Sequence, residues 1–465
     1  MEKLFGTDGV RGMPGKYPLT AATIRDIALI TAQLIRSRGP SRNNGSGPVI
    51  LMGRDTRGSG PEIARCLIAG FKAAGCRTMD LGVAPTPAIS YLTPRLKALC
   101  GVIISASHNP AQFNGIKFFN GDGFKMDPQT EDLVEKELSR DCEAGRRGKV
   151  SAGAWPAGAE NASKYAGWYA DFLRSTFPPT LDLNGMRLVV DCAQGASYRI
   201  APALFESLGA EVIALGCSPN GRNINAGCGA LFPEALQKAI VRNKADCGVC
   251  FDGDADRAIF ADEKGMLLDG DALICLSAQR LLRLGLLKSD KVVLTVMSNF
   301  GLLKFLGEKG ISVVSVPVGD RNVTEALERE GLSLGGEASG HVIFRSFSAT
   351  GDGILTALQT LAALRESGKP LSAHRRSFKA VPQVLKNLAV ENKVPLEGLP
   401  RLKEQIRGCE KKIKGQGRIF LRYSGTEPLL RIMIEGPNQS MIKAMARRLA
   451  ETYLKETGQK AGKTH

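Results

Sequence analysis

Apolar positions along the chain follow two alternating periods. From Thr20 onward Ile24, Ile27, Ala28, Leu34 and Ile35 recur at helical spacing, with Thr20 placed to cap the helix and Gly39 to stop it. Residues 41–48, rich in Asn, Gly and Ser, read as a loop. Residues 49–52 then form a short apolar strand, and a helix follows through Ala64, Leu67, Ile68 and Phe71. Strand patterns recur at 99–104, 187–191, 210–215, 246–251, 291–296 and 311–316, each beside a helical segment. Such alternation predicts α/β layers with parallel or mixed sheets. From about Val381 the order changes to strand, helix, two strands joined by 423–428, and a helix from 439 to 454, which predicts a smaller α+β domain. Linkers are expected at 145–159, after Phe260 and over 367–382.

With 465 residues the chain exceeds one core, so three or four domains are expected. The excess of 62 Lys and Arg over 46 Asp and Glu gives +16, which suits anionic partners without choosing among them. Eleven scattered cysteines lack a disulfide framework, and Cys247 and Cys250 in an apolar run read as buried strand residues rather than zinc ligands. No stretch of about eighteen apolar residues predicts a membrane span, and the N-terminal residues show no leader pattern, so a reducing cytoplasmic setting is expected.

Chemistry concentrates at strand ends, where α/β sheets place their active groups. Ser105-Ala106-Ser107-His108-Asn109-Pro110 follows the strand at 99–104; its serines suit a nucleophile or phosphate carrier, or simply a turn that opens a loop. Asp252-Gly253-Asp254-Ala255-Asp256-Arg257 follows another strand and sets three carboxylates on alternate residues. They would repel one another without a hard divalent cation. An EF-hand is rejected, because Arg257 stands where that loop needs glycine and the preceding residues read as a strand.

Gly335-Gly336-Glu337-Ala338-Ser339-Gly340-His341 offers groups for sugar hydroxyls and proton exchange, or a glycine-rich loop satisfying itself. Arg422, Ser424, Gly425, Thr426 and Arg431 suit a phosphate cradle, a hairpin turn, or both. Arg11 in a glycine-rich turn and Lys117 after Asn114-Gly115-Ile116 are further candidate cations.

In this order the segments resemble the α-D-phosphohexomutases from Gly6–Arg11 to Arg422–Arg431, with loops most like those of the phosphoglucosamine mutase branch. The pieces that carry the resemblance are 104–110, Asn223-Ile224-Asn225 with Cys228-Gly229, 335–341 and 424–428. It implies three related α/β domains, 1–152, 153–260 and 261–375, and a smaller α+β domain, 376–465, around a central cleft. It implies a phosphoserine at Ser107 with Ser105 secondary, and one Mg²⁺ held by Asp252, Asp254, Asp256 and the Ser107 phosphate. Arg11, His108, Lys117 and Arg257 then line the reaction centre, Glu337 and Ser339 contact the sugar, and His341 transfers a proton. The distal phosphate falls to Arg422, Ser424, Gly425, Thr426 and Arg431.

The implied reaction interconverts glucosamine 6-phosphate and glucosamine 1-phosphate through a 1,6-bisphosphate, with glucose or glucosamine 1,6-bisphosphate as primer. A phosphorylated hexosamine is the expected partner, without nucleic acid or membrane, for a monomer or homodimer. Phosphomannomutase or phosphoglucomutase activity is the alternative. A basic nucleic-acid-binding protein would match the charge but leaves the carboxylate triplet unexplained. Ala338, Tyr423, Pro317 and the segment 228–233 depart from the family's usual residues, which bears on sugar selectivity.

Overall fold

The computed structural model describes residues 3–6, 8–38, 47–143, 159–375, 377–424 and 428–459. Gly39 and most of the linker expected at 145–159 lie outside them. Thr20 does cap the first helix, Ala21–Arg38, by accepting from the Thr23 amide at 3.2 Å.

Three mixed sheets repeat one plan. In the first, Val49–Arg54 lies parallel to Arg77–Val83 on one side and Cys100–Ile104 on the other. Cys100–Ile104 then returns antiparallel into Asn114–Phe119, which pairs with the edge strand Val10–Gly12. In the second, Arg187–Asp191 lies between Glu211–Leu215 and Cys247–Phe251, and Cys247–Phe251 returns into Ala258–Asp262. In the third, Lys291–Thr295 lies between Ser312–Val316 and Leu334–Gly336, and Leu334–Gly336 returns into Val342–Phe344.

Each antiparallel return therefore follows the strand whose end carries a chemical motif. The connecting loops are 105–113, 252–257 and 337–341. Cys247 and Cys250 are buried in their strand, as their apolar surroundings predict. The linker expected after Phe260 is corrected: Ala258–Asp262 continues through that position and pairs with Leu267–Leu268. Within 367–382 the short helix Leu371–Arg375 forms.

The fourth sheet is antiparallel, with Leu429–Glu435 between Gln383–Ala389 and Arg418–Tyr423. Helices Pro400–Ile413 and Gln439–Thr457 share its core, built on Leu402, Ile413, Ile432, Ile434, Leu449 and Tyr453. Contacts divide the chain into two units, Met1–Val296 with Ser312–Ser377, and Met297–Ile311 with Phe378–His465. In the second unit Arg418 pairs with the fully buried Glu435 at 2.6 Å, and Glu435 also accepts from the Phe300 amide at 3.1 Å. That carboxylate ties the segment 297–311 to the sheet. Among the described residues no helix is long and apolar enough to cross a membrane.

Candidate active site

In the first unit the three hairpin loops bring their motifs together. Ser107 follows the strand Cys100–Ile104 and adopts φ +51°, a left-handed conformation that costs a non-glycine residue about 1–2 kcal/mol. The turn aims Oγ at Asp252, donating to Oδ2 at 2.6 Å. Ser105 is turned to another use. Its Oγ accepts from the Ser107 amide at 2.8 Å and donates to Asp55 Oδ2 at 2.7 Å.

Asp252, Asp254 and Asp256 are buried, and one oxygen from each lies within 4.8 Å of the others. Burial first, then repulsion from Asp256 and Asp254, pushes the Asp252 pKa well above the usual carboxylate range. Asp254 Oδ1 and Asp256 Oδ1 are buried without hydrogen-bond partners, although their Oδ2 atoms are engaged. A crowded all-oxygen donor set with unsatisfied atoms fits a hard divalent cation. Thr86 holds the middle carboxylate, its hydroxyl donating to Asp254 Oδ2 at 2.6 Å and its amide to the Asp254 carbonyl at 2.9 Å.

Cations surround this acidic floor. Lys117 is 2% exposed, 3.0 Å from Asp254 Oδ2, 3.2 Å from Asp8 Oδ2 and 3.7 Å from Asp256 Oδ2. Burial opposes its charge, but Asp254, Asp8 and Asp256 outweigh burial and hold its pKa above normal, so it is an ammonium. Lys125 pairs with Asp8 at 2.6 Å and also with Asp320, while Arg11 pairs with Asp8.

The Arg257 guanidinium donates to His108 Nδ1 at 3.0 Å, and its Nε lies 3.7 Å from Asp256 Oδ1. Burial, then Arg257 and Arg11, lowers the His108 pKa to about 4, leaving a neutral ring with its proton on Nε2. His341 is 1% exposed. Its Nδ1 lies 3.7 Å from Asp256 Oδ2, and its Nε2 faces Asp320 Oδ2 at 4.0 Å and accepts from the Gly351 amide at 3.2 Å. Burial works against its protonation, but Asp256, Asp320 and Glu337 raise its pKa above normal. The Gly351 amide favours the neutral ring instead; in either state Nδ1 carries a proton toward Asp256.

Glu337 Oε1 accepts from the Gly319 amide at 3.0 Å, leaving Oε2 toward the exposed Ser339 at 3.5 Å. In the second unit Arg422 and Arg431 stand directly opposite on paired strands. Like charges so placed disfavour one another unless an anion lies between them. Arg431 donates to Ser424 Oγ at 3.4 Å, and Lys393 donates to the Ser424 carbonyl at 2.7 Å. Gly425 and Thr426 lie outside the described residues.

The motifs did not single out Asp8, Asp55, Arg57, Thr86, Lys125, Asp320 or Lys393. Asp8 lies inside the quoted N-terminal motif, and Asp55 and Arg57 follow the strand Val49–Arg54, so position at a strand end was an available signal. Thr86 likewise lies three residues past the strand Arg77–Val83, whereas Lys125 and Lys393 have no such mark, since only long-range contacts define them.

The sequence signatures of the phosphoglucomutase/phosphomannomutase family match in order: α/β/α domain I over 2–145, domain II over 169–265, domain III over 269–381 and the C-terminal domain over 385–452. The phosphoglucosamine mutase of Pelobacter propionicus is 45% identical over 461 residues, 99% of this chain and 100% of the relative. That of Myxococcus xanthus is 44% identical over 455 residues, 98% of this chain and 97% of the relative. A phosphoglucomutase/phosphomannomutase family protein of Burkholderia thailandensis shares the fold with TM-score 0.78 at 23% identity, covering 99% of each chain. The N-acetylphosphoglucosamine mutase of Aspergillus fumigatus, solved with GlcNAc-6P and magnesium, gives TM-score 0.65 at 18% identity over 97% of this chain and 95% of that one. Four domain signatures in order and full-length relatives at this identity place the chain in the phosphoglucomutase/phosphomannomutase family of α-D-phosphohexomutases, in its phosphoglucosamine mutase branch.

Proposed function

We propose that the chain interconverts glucosamine 6-phosphate and glucosamine 1-phosphate, with Ser107 as the phosphoryl carrier. The observation that carries this reading is the 2.6 Å bond between Ser107 Oγ and Asp252 within the buried triplet. Asp252, Asp254 and Asp256, with an oxygen of the Ser107 phosphate, would hold Mg²⁺, which when bound withdraws charge from the transferring phosphorus.

In the first half-reaction a sugar hydroxyl forms a new bond to phosphorus, the bond from phosphorus to Ser107 Oγ breaks, and a 1,6-bisphosphate results. After the sugar turns over, Ser107 Oγ loses its proton and bonds to the other phosphorus. The bond from that phosphorus to the sugar oxygen breaks, and the sugar oxygen takes a proton to become the free hydroxyl. Arg11, Lys117 and Arg257 stabilise charge on the moving group; the raised pKa of Lys117 makes it a fixed cation rather than a base. His108, neutral and held by Arg257, orients that guanidinium beside the serine. The proton of the attacking hydroxyl is assigned to His341, which takes it on Nε2 in place of the bond from the Gly351 amide, beside Asp256 and Asp320. Glu337 and Ser339 are assigned to sugar hydroxyls. Arg422, Ser424, Gly425, Thr426 and Arg431 are assigned to a substrate phosphate. Glucose or glucosamine 1,6-bisphosphate is the proposed primer, and the cytoplasm the proposed setting.

Ser107→Ala tests the reading. Mutase activity should fall at least about a thousandfold while the circular dichroism spectrum is unchanged, and intact mass should lose the single phosphoryl group. Near-normal turnover in that variant would overturn it. Glucosamine, glucose and mannose phosphates measured side by side should rank glucosamine first by kcat/KM.

A further inference from the structure

The serine loop is held by one guanidinium. Arg57 is 1% exposed and lies just beyond the strand Val49–Arg54, where it meets Ser107 through the backbone and bonds to none of the side chains assigned to substrate or metal. Its Nη2 donates to the carbonyls of Ser107 at 2.9 Å and Asn109 at 2.8 Å. Its Nη1 donates to those of Pro110 at 2.5 Å and Phe113 at 2.9 Å. Nε donates to Asp55 Oδ2 at 2.8 Å, so every donor of the fork is engaged. Four of these five bonds reach backbone carbonyls of a single loop.

A second donor comes from the next sheet's domain. Asn225 Nδ2 donates to the same Ser107 carbonyl at 2.8 Å and to that of Asn109 at 3.1 Å. A Cβ on Gly253 would stand 2.7 Å from the Ser107 carbonyl oxygen, so the metal loop walls the third side. Two donors and a wall fix the peptide plane after Ser107, and with it the left-handed conformation that turns Oγ toward Asp252.

We infer that Arg57 and Asn225 are positioning residues for phosphoryl transfer: together they set the Ser107 backbone, and so the aim of its hydroxyl, without touching the substrate. The inference rests on Ser107 being the phosphoryl carrier. Transfer is sensitive to aim, since a misplacement of about 1 Å can cost about a hundredfold in rate.

Arg57→Lys keeps a cation beside Asp55 but replaces a planar fork by a point charge, and Asn225→Ala removes only the second donor. Both should be assayed with glucosamine 6-phosphate after priming with glucose 1,6-bisphosphate, with kcat expressed per folded molecule from circular dichroism. The expected result is a kcat lower by about 10- to 100-fold for Arg57→Lys and about tenfold for Asn225→Ala, with KM changed by less than about threefold. A purely structural role would lower thermal stability yet leave kcat per folded molecule within about twofold of wild type, and that outcome overturns the inference. So does a rise in KM at constant kcat. If Arg57→Lys does not fold, Asn225→Ala decides alone. Ser107→Ala run in parallel separates the two ideas. Activity retained there defeats the serine reading, whereas an inactive Ser107→Ala beside normal positioning variants defeats only the inference.

Discussion

Ser105 and Ser107 share one hydrogen bond that gives them opposite roles: Ser105 Oγ accepts from the Ser107 amide at 2.8 Å while giving its own hydrogen to Asp55. Only Ser107 has its hydroxyl against the carboxylate triplet. Phosphopeptide mapping should therefore find phosphate on Ser107 and none on Ser105. Ser105→Ala leaves a buried amide without its acceptor, which costs about 1–3 kcal/mol in denaturant unfolding and lowers kcat without abolishing it. Phosphate on Ser105 in the wild type would contradict this assignment.

Thr86 reaches Asp254 from a different domain, at 2.6 Å. Thr86→Val keeps the shape and removes the donor. Because partners of a metal ligand orient it, the Mg²⁺ concentration for half-maximal activity should rise about 10- to 100-fold, with kcat at saturating Mg²⁺ closer to wild type. Mg²⁺ titration of activity checks this, and calorimetric Mg²⁺ binding gives an independent readout.

Tyr169 donates to Asp352 Oδ2 at 2.7 Å, and Asp352 is buried at the start of the helix Gly353–Ser367. Burial raises the Asp352 pKa from 3.8 to about 6 despite that bond and the Leu355 amide. The folded state then binds this proton more tightly than the unfolded state between those values. This group's contribution to stability therefore falls as pH rises from about 4 to about 6, by about 3 kcal/mol in all. Tyr169→Phe removes a donor to the ionised form, so its cost should be about 1.5–3 kcal/mol at pH 7 and smaller at pH 4. Urea unfolding of both proteins at the two pH values isolates the difference. A cost independent of pH would show that Asp352 does not ionise in this range.

Arg422 and Arg431 face each other across paired strands, and burial followed by the Arg431 charge lowers the Arg422 pKa. An anion relieves that repulsion. Arg431→Ala should raise KM for glucosamine 6-phosphate about tenfold or more, in line with the loss of charge-assisted bonds to phosphate. Inorganic phosphate should raise the thermal midpoint of the wild type, and Arg431→Ala should weaken that rise. Unchanged KM and unchanged stabilisation would remove this pair from the phosphate site.

Local pattern carried much of this structure. The helix from Ala21, the strands ending at Ile104 and Phe251, and the change of architecture in the last part of the chain all follow from apolar period and turn residues. The acidic triplet was legible because three carboxylates on alternate residues demand a counter-charge. The strand beyond Phe260 was not, because the polar turn Glu263-Lys264-Gly265 that leads into Leu267–Leu268 reads equally as a linker. For Arg57 the strand end marked the position but not the role, since an arginine in a polar run looks solvent-facing until the fold closes over it. Lys117 illustrates the same limit. Its strand predicts position, but burial among Asp8, Asp254 and Asp256 arises only when two sheets meet.

The three sheets turn back at the same point in their topology, and each turn holds a different motif. The proposed carrier, metal-holding and sugar-reading motifs are thus each mounted on their own copy of one hairpin. The consequence is a route to new specificity that leaves the transfer chemistry alone. Exchanging 335–340 for the residues of a mannose-preferring relative, with His341 kept beside Asp256, should change which sugar is accepted while the serine and carboxylate hairpins go on exchanging phosphate as before.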